Sequence, residues 1–178
     1  MASSQSHYIL PRAMFEGDAP RVLIVVSPYY KDIADNLLAG AKAEVEASGA
    51  EWDVLEMPGA LEIPTAIALS DRNGDFDAYV ALGCVIRGET THYETVCNDS
   101  SRALQLMGLQ GLCIGNGILT VENWDQAAVR ADPAAQNKGG GAAAAALHLL
   151  VISDAGLKGV RSAHVRPDNC LLECVLRF

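Results

Sequence analysis

The chain has 178 residues, the size of one domain that can bury a hydrophobic core. Half of its residues are hydrophobic and 20% are charged, which is typical of a folded globular protein rather than a disordered one. The net charge of -9 argues against nucleic acid as a partner. An anionic ligand would have to be held locally, by a few cationic side chains or backbone N–H groups.

The five cysteines include no CxxC pair. Three of them lie in apolar runs, where a cysteine is usually a small buried hydrophobe: Cys84, Cys97 and Cys113. Cys170, Cys174 and the nearby His164 have a poor ligand count and spacing, so no metal site is predicted. This usage suits a reducing cytoplasm.

Two further features favour a cytoplasmic location. The first twenty residues lack the hydrophobic core of a secretory signal. The most apolar stretch, residues 139–152, is too short to span a bilayer and contains His148.

Strand-like and helix-like segments alternate along the chain. β-Branched runs predict strands within residues 21–27, 51–57, 78–86 and 111–119. Helical spacing of apolar residues predicts helices near residues 33–45, 62–69, from His92 onwards, 122–130 and 138–152. This order predicts a parallel sheet with right-handed crossovers and helices on both faces. Residues 1–20 form a loose arm with room for one short additional strand.

Local signals place several helix ends. Gly49 is suited to end the first helix. Thr91 and Glu94 have the spacing of a capping box, which predicts a helix start at His92. The small residues at positions 139–146 predict close helix packing, within the chain or against another subunit.

Ligands of parallel α/β sheets bind beyond the carboxyl ends of the strands. This rule selects the loops at residues 27–31, 57–62, 84–92 and 116–122. The third loop resembles a P-loop, but Glu89 stands where that motif needs a lysine, so nucleotide hydrolysis is excluded. Gly115 and Gly117 begin a GxGxxG-like turn, but Thr120 occupies the third glycine position, so dinucleotide binding has little support.

The third loop nevertheless suits a phosphate. It leads into a helix N-terminus, where unpaired N–H groups and the helix dipole attract anions. His92 in the first turn is a candidate proton shuttle, although a lone histidine at a helix start is more often solvated or hydrogen-bonded to a neighbour. Position alone also leaves Arg130, Lys138 and Glu62 as ordinary helix-end charges.

Four segments, in this order and spacing, resemble the motifs of the lumazine synthase family. They are MPGALEIP (57–64), GCVIRGETTHYETVCN (83–98), GILTVENWDQA (117–127) and NKGG (137–140). The similarity extends over about residues 21–154. It divides the chain into an N-terminal arm (1–20), a lumazine synthase domain (21–159) and a C-terminal extension (160–178).

The resemblance implies a flavodoxin-like α/β/α sandwich that assembles as homopentamers, with the active site between neighbouring subunits. The implied enzyme is a transferase of riboflavin biosynthesis. It joins 5-amino-6-(D-ribitylamino)uracil to 3,4-dihydroxy-2-butanone 4-phosphate to give 6,7-dimethyl-8-ribityllumazine, without a metal or an organic cofactor. Pentamers, decamers and sixty-subunit shells all occur on this scaffold, and the sequence does not choose among them.

The resemblance also implies roles for individual residues. His92 matches the proton-transfer histidine, Arg130 the arginine that binds the substrate phosphate, and Lys138 a lysine close to that pocket. The other implied contacts are Gly88, Glu89 and Thr90 for the phosphate, Ala60, Leu61 and Glu62 for the ribityl chain, and Cys84, Val85, Ile86 and Tyr29 for the pyrimidine.

Three positions depart from the family pattern. Asn116 stands where phenylalanine is common, Tyr30 where asparagine is common, and Leu61 where an aromatic residue is more usual. These changes bear on affinity for the ring more than on the chemistry. They leave an alternative function open, a non-catalytic binder or shell for flavin-like ligands on the same scaffold, which would need neither His92 nor Arg130.

Overall fold

The computed structural model describes residues 10–15 and 17–153. Within this part of the chain, four strands and five helices alternate as predicted. The strands are β1 (Arg21–Val26), β2 (Glu51–Glu56), β3 (Ala78–Ile86) and β4 (Ile114–Val121). The helices are α1 (Lys31–Ala47), α2 (Glu62–Asp71), α3 (His92–Leu109), α4 (Trp124–Ala131) and α5 (Lys138–Ile152).

The expected N-terminal strand does not occur among residues 10–15 and 17–20, and the rest of the arm lies outside the described residues. The same holds for the predicted C-terminal extension at 160–178, including Cys170, Cys174 and His164.

The four strands form one parallel sheet in the order β2-β1-β3-β4. β1 lies in the middle, with Val22 opposite both Trp52 of β2 and Ala78 of β3. β3 is the longest strand and pairs along its whole carboxyl half with β4, where Ile86 lies opposite Val121. This is the predicted doubly wound α/β arrangement.

Side chains alternate between two helical layers, so the hydrophobic core has two halves. One face of the sheet packs against α1, α4 and α5, and its buried members include Val22, Ile24, Leu82, Leu37 and Leu147. The other face packs against α2 and α3, and its buried members include Leu23, Val25, Ile63, Ile67 and Leu104. Because both faces of β1 are covered, its sequence is continuously apolar rather than alternating.

The two predicted helix-end signals have different outcomes. Gly49 has a positive φ of 79° just after α1, as a C-terminal glycine should. Thr91 does precede α3, but its backbone is helical and, within the described residues, its side chain makes no capping hydrogen bond. The prediction of a capping box is therefore wrong, because Glu94 pairs with Arg87 instead of bonding to the backbone at the helix start.

The small residues of α5 serve packing inside the chain. Gly139 and Gly140 are buried, together with Ala142, Ala143 and Ala146. A Cβ at Gly139 would overlap the backbone of Leu37, so the glycine lets α5 approach α1. The alternative in which this stretch packs against another subunit gains no support from its burial here.

Strand β4 extends further than predicted. It continues to Val121, because residues 117–121 pair with the carboxyl half of β3. The predicted loop at 116–122 is therefore strand over most of its length. Gly115 and Gly117 lie inside this strand, so the GxGxxG-like turn does not exist.

Candidate active site

Three loops follow the carboxyl ends of β1, β2 and β3. The amide of Ser27 donates to the carbonyl of Leu82 at 2.9 Å, and the amide of Met57 donates to the carbonyl of Val26 at 2.8 Å. The Ser27 hydroxyl also donates to the Pro58 carbonyl at 3.4 Å. These bonds join the loops after β1 and β2 and hold the first of them against β3, four residues before that strand ends. The predicted site residues on these two loops, on the last part of β3 and in the loop that follows it are called the carboxyl-edge group.

The predicted pyrimidine-binding segment is the last part of β3. Cys84 and Ile86 face the α1 side of the sheet, where Cys84 is 9% exposed. Burial in this apolar setting raises the pKa of the Cys84 thiol to about 11, so the sulfur stays protonated and uncharged near neutral pH. Val85 and Ile86 are half-buried and provide apolar surface at the edge.

Tyr29 lies in the loop after β1 and is 73% exposed. Its ring packs edge-on against Tyr30, with 5.0 Å between centroids, and Tyr30 packs edge-on against Trp124 of α4 at 5.9 Å. Tyr30 is half-buried against the core. Trp124 was missed by sequence reasoning, because nothing in its spacing indicates that α4 begins beside the first loop.

The predicted ribityl-binding residues lie where the loop after β2 enters α2. Ala60 is buried, Leu61 is half-buried, and Glu62 is exposed in the first turn of α2. A Cβ at Gly59 would lie 2.7 Å from Oε2 of Glu62, so the glycine leaves room for that carboxylate beside the loop. This loop therefore presents an acceptor group suited to hydroxyls.

The predicted phosphate loop, Gly88, Glu89 and Thr90, is exposed and leads directly into α3. His92 is the first residue of α3 and is also exposed. The structure therefore places the histidine and the loop side by side, at the positive end of an 18-residue helix. An anion bound by the loop would lie next to the imidazole.

Arg87 stands immediately before this loop and was missed by sequence reasoning. Its Nε donates to Glu122 Oε2 at 2.8 Å, and its NH1 donates to Glu94. Its guanidinium carbon lies 4.1 Å from the centroid of the Tyr93 ring. The partners are 35 and 7 residues away in sequence, spacings that carry no local signal.

The remaining three predicted residues lie elsewhere, around the β4 edge of the sheet, and we call them the β4-edge group: Asn116, Arg130 and Lys138. Asn116 is in the middle of β4, opposite Ala81, and its side-chain oxygen accepts from the amide of Ile118 at 3.0 Å. It lines a cavity of about 270 Å³ between β4 and α3, with Cys97, Asn98, Ser100 and Ser101.

Arg130 and Lys138 are on the opposite face of the sheet from Asn116. Arg130 is in the last turn of α4, where its guanidinium donates to the Gln126 carbonyl at 3.0 Å, the contact expected of a helix-end cation. Lys138 is exposed at the start of α5, and the neighbouring Asn137 caps that helix by accepting from the amide of Gly140 at 3.1 Å. The NKGG motif thus has a packing and capping role besides its lysine.

The distances within one copy separate the two groups. Asn116 is paired with Ala81, which lies five residues before Ile86, the last residue of β3. At the rise of a β-strand, this separates Asn116 from the end of β3 by about 16 Å along the strand. Arg130 and Lys138 lie on α4 and α5, which pack against the opposite face of the sheet from α3, the helix that begins with His92. One copy therefore does not bring the β4-edge group to His92.

Residues 10–15 and 17–153 contain no cluster of three or more His, Cys, Asp or Glu side chains that could hold a metal ion. In the same part of the chain, no helix is both long and apolar enough to cross a bilayer.

Comparison with known proteins decides the family. Residues 19–154 match the sequence profile of 6,7-dimethyl-8-ribityllumazine synthase. The chain belongs to the 6,7-dimethyl-8-ribityllumazine synthase family. A relative of that name from Methylorubrum populi is 52% identical over 174 residues, which cover 94% of this chain and 99% of the relative. Others from Methylorubrum extorquens and Jannaschia are 55% identical over 88% of the chain and 53% identical over 75% of it, and the aligned parts cover 91% and 75% of those relatives.

Family membership confirms the predicted resemblance, the flavodoxin-like fold and the enzyme class, a transferase of riboflavin biosynthesis. Nothing in the comparisons favours the non-catalytic shell or binder.

Proposed function

We propose that this family member condenses 5-amino-6-(D-ribitylamino)uracil with 3,4-dihydroxy-2-butanone 4-phosphate at a site that two copies complete together. The carboxyl-edge group of one copy holds the pyrimidine and supplies His92. The β4-edge group of the next copy supplies Arg130 and Lys138. The observation that supports this proposal is the separation of the two groups within one copy.

The carboxyl-edge group suits the pyrimidine substrate. Tyr29 offers an exposed ring for stacking, and Val85 and Ile86 offer apolar surface along the strand end. Glu62 accepts from ribityl hydroxyls. The neutral Cys84 thiol adds no charge to this wall.

The proposed reaction depends on proton transfer more than on strong activation of the amine or the ketone. The 5-amino group attacks the ketone and water leaves, which gives a Schiff base. Loss of the C3 proton and of inorganic phosphate from C4 then leaves an enol, which tautomerises to a ketone at C3. Attack by the ribityl-bearing nitrogen on this new carbonyl closes the ring with loss of another water. His92, beside the phosphate loop, is placed to take and return protons in these steps.

The copies are proposed to form a cyclic homopentamer, the smallest assembly that the family resemblance implies. A cyclic ring uses one kind of contact repeatedly, so the β4 edge of each copy meets the carboxyl edge of the next. The large apolar side chains of Leu106 and Leu109 on α3 are 55% and 84% exposed, which favours further burial in an assembly. The location is proposed to be the cytoplasm, consistent with the free thiols of Cys84, Cys97 and Cys113.

Mixing two variants of reduced activity tests the shared site. His92→Ala chains and Arg130→Ala chains are unfolded together, refolded at equal concentrations, and assayed near the wild-type KM for the phosphate substrate. In a cyclic assembly, about one quarter of the sites take both native side chains, so about one quarter of wild-type activity should return. Each variant refolded alone is the control.

Two outcomes would contradict this assignment. A mixture no more active than the mean of the two variants, with mixed assembly shown by native mass spectrometry, would place both side chains in one copy's site. Absence of lumazine absorbance with the wild-type chain would contradict the proposed reaction itself.

A further inference from the structure

Arg87 connects three elements around the site. Its amide donates to the carbonyl of Val121 at the end of β4, at 2.9 Å. Its side chain reaches Glu122, the next residue after β4, and Glu94 in the first turn of α3. Its guanidinium stacks on Tyr93, the residue after His92. A single side chain thus fixes the start of α3 relative to β4.

We propose that Arg87 is a positioning residue, which holds His92 and the phosphate loop in the geometry that the reaction needs. This rests on the proposed function of His92. The loop at residues 88–90 lies between the Arg87 backbone and the helix that its side chain holds. Moving the start of α3 would therefore move the loop and the imidazole together.

The ion pairs of Arg87 with Glu94 and Glu122 are better suited to orienting these side chains than to stabilising the fold. Arg87, Glu94 and Glu122 are 40%, 49% and 56% exposed, and exposed ion pairs contribute little to stability. A planar guanidinium that meets two carboxylates and a ring at once is instead highly directional. Hydrogen bonding to Arg87 also lowers the pKa of Glu94, so this carboxylate stays ionised near neutral pH.

The local structure shows why the start of α3 needs a contact from outside the helix. In the described part of the chain, Thr91 makes no side-chain capping bond, so the usual anchor of a helix start is missing. Arg87 replaces it by holding the side chains of the first turn from outside the helix. Catalytic groups must be held within fractions of an ångström, and a displacement of about 1 Å can cost up to about 100-fold in rate.

Arg87→Gln is the test variant and Arg21→Gln its matched control. Arg21 is 48% exposed, close to the 40% of Arg87. It pairs with one carboxylate, Asp53, at 2.7 Å, and lies 4.9 Å from the ring of Phe76. It is the first residue of β1 and lies at the amino ends of the strands, away from the site. Both variants are made in the full chain, checked for assembly by native mass, and assayed with both substrates saturating.

Arg87→Gln should lower kcat about tenfold while KM for the pyrimidine changes less than about threefold, since the pyrimidine surface lies on other elements. Arg87→Lys, which keeps the positive charge but not the planar guanidinium that can bind two carboxylates, should restore part of the lost kcat. Arg21→Gln should leave kcat unchanged. In a His92→Ala background, Arg87→Gln should lower kcat less than about threefold, because the imidazole that it positions is gone and saturating phosphate substrate offsets weaker binding by the loop.

Equal kcat values for Arg87→Gln and Arg21→Gln would overturn the proposal, as would a full tenfold loss in the His92→Ala background. If Arg87→Gln fails to assemble, Glu122→Gln removes one arm of the same contact and is read by the same criteria. Wild-type turnover is measured first, so failure of the reaction itself is distinguished from failure of this inference.

Discussion

Gly115 in β4 is expected to be intolerant of any side chain. A Cβ built there would overlap the carbonyl oxygen of Ala142 in α5 and lie 2.7 Å from its carbonyl carbon. It would also lie 3.2 Å from the amide nitrogen of Ala146. These atoms belong to helix backbone, which cannot rotate away as a flexible side chain can.

Relief of this overlap requires α5 to move about 1 Å away from the sheet, which forfeits a quarter to a half of each dispersion contact along the interface. Overpacking costs about 1–3 kcal/mol where side chains can adjust, so a backbone clash belongs at the upper end, about 3 kcal/mol. With a urea dependence of about 2 kcal/mol per molar, the unfolding midpoint of Gly115→Ala should fall by about 1–2 M.

Gly141→Ala is the matched control in the same helix. A Cβ at Gly141 meets nothing within 4 Å in the described structure, and the residue is helical with a negative φ. Alanine there should be neutral or stabilise by up to about 1 kcal/mol. Unfolding is followed by circular dichroism at one fixed protein concentration, because assembly is coupled to folding. A Gly115→Ala midpoint equal to that of the wild type would refute the packing argument.

Three further predictions concern the site. His92→Ala should lower the single-turnover rate by about 100-fold or less with assembly intact, since positioning of reactive groups supplies part of the catalysis; an unchanged rate would make His92 an ordinary helix-start residue. Arg130→Ala should raise KM for the phosphate substrate by about 10–100-fold and leave that for the pyrimidine nearly unchanged; equal changes for both would contradict the assignment. Cys84, with its pKa raised by burial to about 11, should alkylate at pH 8 at least about tenfold more slowly than in the unfolded chain. Peptide mapping checks this, and equal rates would contradict it.

The order of strands and helices was predictable because each carries its own local pattern. β1 is continuously apolar and α1 has apolar residues at helical spacing, so the alternation of elements follows from the sequence alone. The positive φ at Gly49 was predictable for the same reason, since a glycine after a helical pattern is a local signal.

What the sequence did not predict depends on residues that are distant along the chain. The end of β4 is set by pairing with β3, which a local pattern does not record. The capping box failed because Arg87, seven residues before Glu94, competes for that carboxylate. The aromatic contact between Tyr30 and Trp124 likewise joins elements almost a hundred residues apart.

The position of the site residues follows the same division. The order of the loops in the carboxyl-edge group was predictable, because ligands of parallel α/β sheets bind beyond the carboxyl ends of the strands. The register was not, and it carries β3 four residues past the level at which β1 ends. Motif matching treated Arg130 and Lys138 as part of the same pocket, but a motif gives order along the chain and not position around the sheet. The structure separates them from His92, and only the assembly proposed above would reunite them.

The charge around the phosphate loop supports the proposed site between two copies. Arg87 is the cation next to the loop in sequence, but its guanidinium is already engaged by Glu94 and Glu122. The loop itself contains Glu89 and no lysine or arginine, so residues 88–90 supply no full positive charge to a bound phosphate. Backbone amides at the start of α3 offer direction and partial charge, but not a full positive charge. A second copy that places Arg130 against the loop would supply this charge, so phosphate binding would depend on assembly while the surface for the pyrimidine is already present in one copy.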